Sequence, residues 1–254
     1  MNVKKIEKYT MKTLKKMGLA AMLSLLIGTV SEAEAKKYEF SVKAGINIGG
    51  TSPMGLPAEI RGINSYNPTL SFSLEGSVKR ELTEKWGVMT GIRLETRAME
   101  TDAQVKNYQI RLLNDGRYIE GIFTGDVETK VKNDYVTIPI LAVYDISKRW
   151  DLKFGGFLSF LTRGDFSGTA KNGYIREGNP LSQKLNVDAT YDFSEDIKKF
   201  NAGLELGAEF VAYKHLSVYG DLTWSLTPLF PGDFTAISFK MYNVYMNLGF
   251  AYVF

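Results

Sequence analysis

Residues Tyr242–Phe254 read YNVYMNLGFAYVF, and their alternation decides the fold class. Every second residue (Tyr242, Val244, Met246, Leu248, Phe250, Tyr252, Phe254) is apolar or aromatic, whereas the interleaved Asn243, Tyr245, Asn247, Gly249, Ala251 and Val253 are smaller and more polar. A period of two is a β-strand with one greasy face and one wetter face. The same alternation recurs around Phe40–Ile48, Leu70–Val78, Val88–Leu94, Tyr135–Ile146, Leu152–Phe160, Phe200–Phe210 and Leu216–Leu226, which with the last strand makes eight. Each is close to the roughly 9–11 residues with which a tilted strand crosses a bilayer.

The connections carry an independent signal. Those near Glu81–Glu84, Ser147–Arg149 and Tyr213–His215 are short, and those near 50–67, 98–134, 163–199 and 227–241 are long. Alternating short and long links are the asymmetry of transmembrane barrels, with short periplasmic turns and long outer loops. The expectation is therefore an all-β, antiparallel, up-and-down transmembrane β-barrel of eight strands; a soluble lipocalin-like barrel is the alternative. The apolar faces carry no charge, while the interleaved positions hold Lys43, Glu75, Arg93, Glu95, Lys153, Glu205, Glu209 and Asp221. A basic residue facing lipid at mid-depth costs about 2–4 kcal/mol, so this set is assigned to the lumen. Eight strands leave an interior that side chains fill, so the charges are read as a structural salt-bridged core and not an ion path, with Lys79 and Arg97 near its ends. Trp86, Trp150, Tyr213, Tyr252 and Phe254 fall at the short-turn ends and suit an interfacial belt.

Ahead of the strands, Lys12, Lys15 and Lys16 precede the apolar Leu19–Val30, and Ala33-Glu34-Ala35 offers a small-x-small cleavage site. Residues 1–35 are read as a cleaved signal peptide, with a possible true start at Met11, and residues 36–254 as the barrel domain. Of the 31 Lys and Arg, six lie in residues 1–35, as do three of the 28 Asp and Glu, so the remainder holds 25 of each. A neutral domain gives no reason to expect nucleic acid as a partner. The chain has no Cys, hence no disulfide and no lipoprotein anchor.

Catalytic chemistry is not evident. His215 is the only histidine and lies at a short turn, without the partners of a Ser-His-Asp site. No Cys or His cluster could hold a transition metal. The acidic residues Asp102, Asp115, Glu120, Asp126, Glu128 and Asp134 of the second long connection lack the order of a calcium loop. No catalytic residue, metal or cofactor is expected. In that connection, Asn114-Asp115-Gly116 reads as a tight turn between two β-prone runs. The third and fourth expected strands should then project as a hairpin with this tip, its edges open to strand addition by a partner.

Four motifs carry a family resemblance: Asp134-Tyr135-Val136-Thr137-Ile138-Pro139-Ile140, Lys153-Phe154-Gly155-Gly156-Phe157, Phe200-Asn201-Ala202-Gly203-Leu204-Glu205-Leu206-Gly207, and Asn247-Leu248-Gly249-Phe250. With them the chain resembles the PorT-like outer-membrane β-barrels, although Asn201 stands where Asp is more usual. The terminal strand ending in Phe254 resembles the carboxyl-terminal signature of bacterial outer-membrane barrels, which implies recognition by the barrel-assembly machinery. The resemblance implies outer-membrane lipids as surroundings and a small barrel whose name-giving relative assists protein secretion. The expected function is non-enzymatic: a barrel with a plugged lumen whose outer loops bind a protein partner or support envelope assembly and secretion. A narrow outer-membrane channel or a lipid-modifying barrel enzyme is the alternative.

Overall fold

The computed structural model describes residues 38–69, 71–114 and 116–254. The signal-peptide reading of residues 1–35, Leu70 and the turn residue Asp115 lie outside the described residues. Among these, no helix is long and apolar enough to cross a membrane.

The strands are β1 (Tyr38–Pro53), β2 (Ile60–Asn67), β3 (Ser71–Glu81), β4 (Trp86–Asn114), β5 (Arg117–Ser147), β6 (Trp150–Arg163), β7 (Phe166–Glu177), β8 (Lys184–Asp192), β9 (Phe200–Tyr213), β10 (Leu216–Ser225) and β11 (Met241–Val253). They form one sheet of eleven strands, where eight were expected. The extra strands β2, β7 and β8 lie in stretches read as loops. Strand β8 carries the same alternation, with Leu185, Val187, Ala189 and Tyr191 between polar residues, but it lies inside the long connection 163–199 read as a loop. Strand β7 is broken by a register shift at Ala170/Gly173, where Asn172 has a φ of 53°.

Eight of the eleven strands, β1, β3, β4, β5, β6, β9, β10 and β11, form an unbroken circuit of pairings. Strand β1 joins β11 from Ser41↔Val253 to Pro53↔Met241. Around this circuit the period of two sets the faces. Phe72, Leu74, Leu204, Leu206 and Phe250 stand outward and exposed, while Lys43, Glu75, Arg93, Lys153 and Asp221 are buried inside. Glycine makes room where the interior is tightest: a Cβ on Gly207 would collide with the Asp221 carboxylate, and one on Gly203 would lie 2.8 Å from the Phe157 ring.

Strands β4 and β5 run on past the circuit as one hairpin, paired from Trp86↔Tyr144 to Asn114↔Arg117. Gly116, beside the tip, has the positive φ (78°) that a tight turn requires. Its edges are not open as the sequence reading supposed. Strand β2 covers β4 along Glu100–Val105, and β7 covers β5 along Gly121–Val131. Strand β8 then pairs with β7 and reaches back to β4 at Leu113↔Thr190, closing a second, smaller circuit. Edges left bare would invite pairing with other chains, and here the connecting segments blunt them.

The second circuit has its own apolar core, which includes Ile110, Leu112, Phe123, Phe166, Ile175 and Tyr191. The link between β10 and β11 contributes Leu229, Phe230, Ala236 and Ile237 to it, with the Phe230 and Phe234 rings stacked at 4.3 Å. Phe123 is completely buried. Phe123→Ala should cost the outer sheet about 3–5 kcal/mol. The loss should appear as faster trypsin cleavage after Arg111 and Arg176, with the eight-strand circuit still folded. Unchanged cleavage would show that this core does not hold the outer sheet together.

Candidate functional site

The interior of the eight-strand circuit is built in tiers, starting at the short-turn end. There Lys79 on β3 meets Asp145 at 2.7 Å and Asp151 at 3.0 Å. One tier deeper, Lys43 and Lys153 both approach Glu209, at 3.1 and 3.5 Å. Lys153 also meets Asp221 at 2.7 Å, and Lys43 lies 3.8 Å from Glu75.

Arg93 occupies the centre. Its Nε donates to Glu75 at 2.6 Å, and its two terminal nitrogens donate to Glu205 at 3.1 and 2.7 Å. The fork-to-carboxylate geometry on Glu205 is the strong, directional form of such a pair. These contacts link β4 to its neighbour β3 and, across the lumen, to β9. Glu95 sits above, accepting from Arg97 at 2.8 Å, Thr137 at 2.6 Å and Asn47 at 3.2 Å. The Arg97 guanidinium lies over Tyr135 and Phe157, 4.9 and 5.1 Å from the ring centroids.

Of the eight charged residues read from sequence as a lumen set, seven are joined by ion pairs and hydrogen bonds, and the eighth, Glu95, is bonded instead to Arg97, Thr137 and Asn47. Arg97, placed near an end by the sequence reading, is fully buried within the set. An uncharged layer was missed as well: Asn247 donates to Asn47 and to Ser73, each at 2.6 Å, and Thr51 donates to Asn243 at 2.6 Å. The signal was present, because Arg93, Glu95 and Arg97 share one face of β4, and Asn47 lies on the charged face of β1 with Lys43.

The aromatics Trp86, Trp150, Tyr213, Tyr252 and Phe254 are all exposed at the short-turn end. Trp86 packs on Tyr144 and Trp150 on Phe210, each pair with centroids 4.8 Å apart. Tyr252 lies between Phe254, at 5.1 Å, and the His215 ring, at 5.6 Å. His215 Nδ1 hydrogen-bonds the Val253 carbonyl oxygen at 2.8 Å. On the outer hairpin, Lys171 bridges Asp102 and Glu128, at 3.5 and 3.3 Å, and Asp134 pairs with Arg163 at 2.8 Å. Among the described residues, no group of three or more His, Cys, Asp or Glu is placed to hold a metal ion.

The sequence pattern of the outer membrane protein beta-barrel domain matches residues 30–231. The chain belongs to that family. This outer-membrane β-barrel protein resides in the outer membrane of bacteria. A comparison with curated proteins found no match. Among solved structures, the barrel is similar to Ail, the attachment invasion locus protein of Yersinia pestis, at 12% identity over 85% of this chain and 97% of that one, with a TM-score of 0.35. It is also similar to the translocator domain of the autotransporter NalP from Neisseria meningitidis, at 12% identity over 94% of this chain and 97% of that one, with a TM-score of 0.25. The identification stands on the family match.

Removing Arg93 would leave Glu75 and Glu205 buried without their main partner. Breaking a buried pair from one side costs about 3–5 kcal/mol. Arg93→Met should therefore lower stability by that order in urea titrations of the barrel refolded into lipid vesicles. Adding Glu205→Gln should recover part of the loss, and full stability in the single variant would mean that the cluster carries little of the fold.

Proposed function

We propose that the eight strands of the circuit cross the outer membrane, with the short turns in the periplasm and the smaller circuit outside. In this reading the protein is a non-enzymatic barrel with a plugged lumen, and the outer sheet is a rigid platform for a protein partner in envelope assembly or secretion support. The observation that carries it is the Arg93 cluster, which spans the lumen from β3 and β4 to β9 by direct side-chain contacts. Side chains that tie opposite walls together support a plugged lumen over an open aqueous path. The apolar core of the outer sheet supports the platform, since it holds these strands in place without the membrane. Tyr118, beside the hairpin tip, and Leu181, between β7 and β8, are exposed at the far end, where a partner would meet them first. The Asp134–Ile140 and Phe200–Gly207 motifs support grouping the chain with the PorT-like barrels, which agrees with a role in envelope assembly.

Conductance tests the plug. In planar bilayers both the wild-type protein and Arg93→Met should lack porin-like channels. Steady porin-level current from the wild type would favour a channel instead.

Sidedness can be read directly, because the chain has no Cys. A single Cys at Tyr118 (Y118C) should react with a membrane-impermeant maleimide on intact cells. One at Lys148 (K148C), in the link between β5 and β6, should react only after the outer membrane is opened. The reverse pattern would overturn the orientation.

A further inference from the structure

Beyond the closed ring of eight strands, the wall has a gap. Above the end of β3, β2 takes the next place beside β4, but β4 is its one hydrogen-bonded neighbour in the sheet. The outer end of β1, meanwhile, is held by β11. Between β1 and β2 lies a seam, crossed near its base by a hydrogen bond from Tyr66 Oη to the Gly49 carbonyl oxygen at 2.6 Å. A cavity of about 280 Å³ opens there.

Its lining belongs to both sides of the wall. Met99, Val105, Tyr108 and Phe166 are interior residues of β4 and β7. Gly50 and Val244, a directly paired couple on β1 and β11, also line it. Val244 shares the outward face of β11 with Met246, Leu248 and Phe250, the face turned to lipid. A cavity bounded by interior and outward-facing residues passes through the wall. Gly50 keeps the passage narrow but open: a Cβ there would lie 2.9 Å from Met99 Sδ. No charged side chain lines the cavity, and the side chains on its β2 wall are Ile60, Ile63 and Tyr66.

We propose that this cavity binds one acyl tail of a bilayer lipid, entering sideways through the seam between β1 and β2. The lining carries hydroxyls, among them Thr51, Ser52, Thr101 and Thr129, but no Lys or Arg, so a phosphate or carboxylate finds no counter-ion and the headgroup stays outside while the aliphatic chain enters. The volume of about 280 Å³ lies just below the range of ligand pockets, about 300 to 1,000 Å³, and so suits no more than a single narrow chain. Its deeper wall, with Met99, Val105, Tyr108, Phe166 and Phe239, is mostly apolar and favours an apolar occupant over water. The mouth opens where the apolar outward band ends, within reach of a tail and not only of solutes in the medium. This inference rests on the eight-strand circuit crossing the bilayer.

The test uses the folded protein in vesicles of phosphatidylcholine containing a small fraction of phosphatidylcholine with a diazirine at the end of one acyl chain. After illumination, labelled peptides are mapped. Labels on the outward band, such as Leu206 and Phe250, report membrane crossing and nothing about the cavity. Labels on the interior residues Val105, Tyr108 and Phe166 report the proposed site. Ala103→Trp, which fills the cavity from β4, should lower the interior labels about tenfold, equivalent to roughly two buried methylene groups, and leave the band labels unchanged. If that variant fails to fold, the wild-type map still decides. Band labels without interior labels would overturn the inference alone, and absence of band labels would overturn the membrane reading beneath it. A parallel arm uses a free fatty acid bearing the same diazirine. Interior labelling by the free acid but not by the phospholipid would also overturn entry from the bilayer.

Discussion

A peptide group facing lipid has no water to bond with, and every other feature of this barrel follows from that. A sheet in hydrocarbon must close, because an open edge would leave a row of unsatisfied donors and acceptors. Closure is made by β1 on β11, thirteen residues of each running in register from Ser41↔Val253 to Pro53↔Met241. Once the ring is closed, the outward positions must be apolar, and polar groups are left with the inside. A narrow interior then forces those groups into contact, which is why Arg93 and Lys153 each meet more than one carboxylate. The incompletely paired edges, those of β2 and β8 and of the outer end of β1 at the seam, lie at or beyond the end of the apolar band, where water can satisfy them.

Strand β4 records the passage from one solvent to the other in its sequence. Along its inner face Arg93, Glu95 and Arg97 are followed by Met99 and Val105; along its outer face Ile92 and Leu94 are followed by Glu100 and Asp102. The backbone keeps its period of two while the chemistry of the two faces is exchanged. Strand β5 does the same in reverse order, with charged Lys130, Lys132 and Asp134 outside Val127 and Val131, then apolar Ile138 and Ile140 outside Thr137. Lipid demands an apolar exterior, and water an apolar interior. One continuous hairpin answers both.

That exchange explains what the sequence did and did not reveal. Within the ring every strand could be read, because apolar residues on one face and polar ones on the other form a single template. The inward set from Lys43 to Asp221 was recognisable for the same reason. Residues 98–134 depart from that template where the polarity inverts, so they stood as a long connection whose hairpin was legible only from the β-prone runs beside its tip. The tip at Asn114 and Gly116 betrayed the hairpin, yet nothing local to it announced that β2 and β7 would cover its sides. Those partners are distant in sequence, and their strands are short, interrupted and partly polar. Arg97 was undervalued because its position lies at the boundary between the two patterns.

The geometry of the long hairpin also sets an order of events. Its pairs are local, since Asn114 meets Arg117 across the tip and even its far end joins only Trp86 to Tyr144. Ring closure instead joins Ser41 to Val253, nearly the whole described chain apart. Closing a long loop costs more entropy than closing a short one, and contacts near in sequence form sooner. By that rule the hairpin is the part of the sheet favoured to form first, and the join of β1 to β11 the part favoured to form last. The exterior of the hairpin beyond the ring carries Glu100, Asp102, Lys130 and Lys132. A charged surface is costly in hydrocarbon, so the outer part of this hairpin is the part of the sheet that a bilayer resists most.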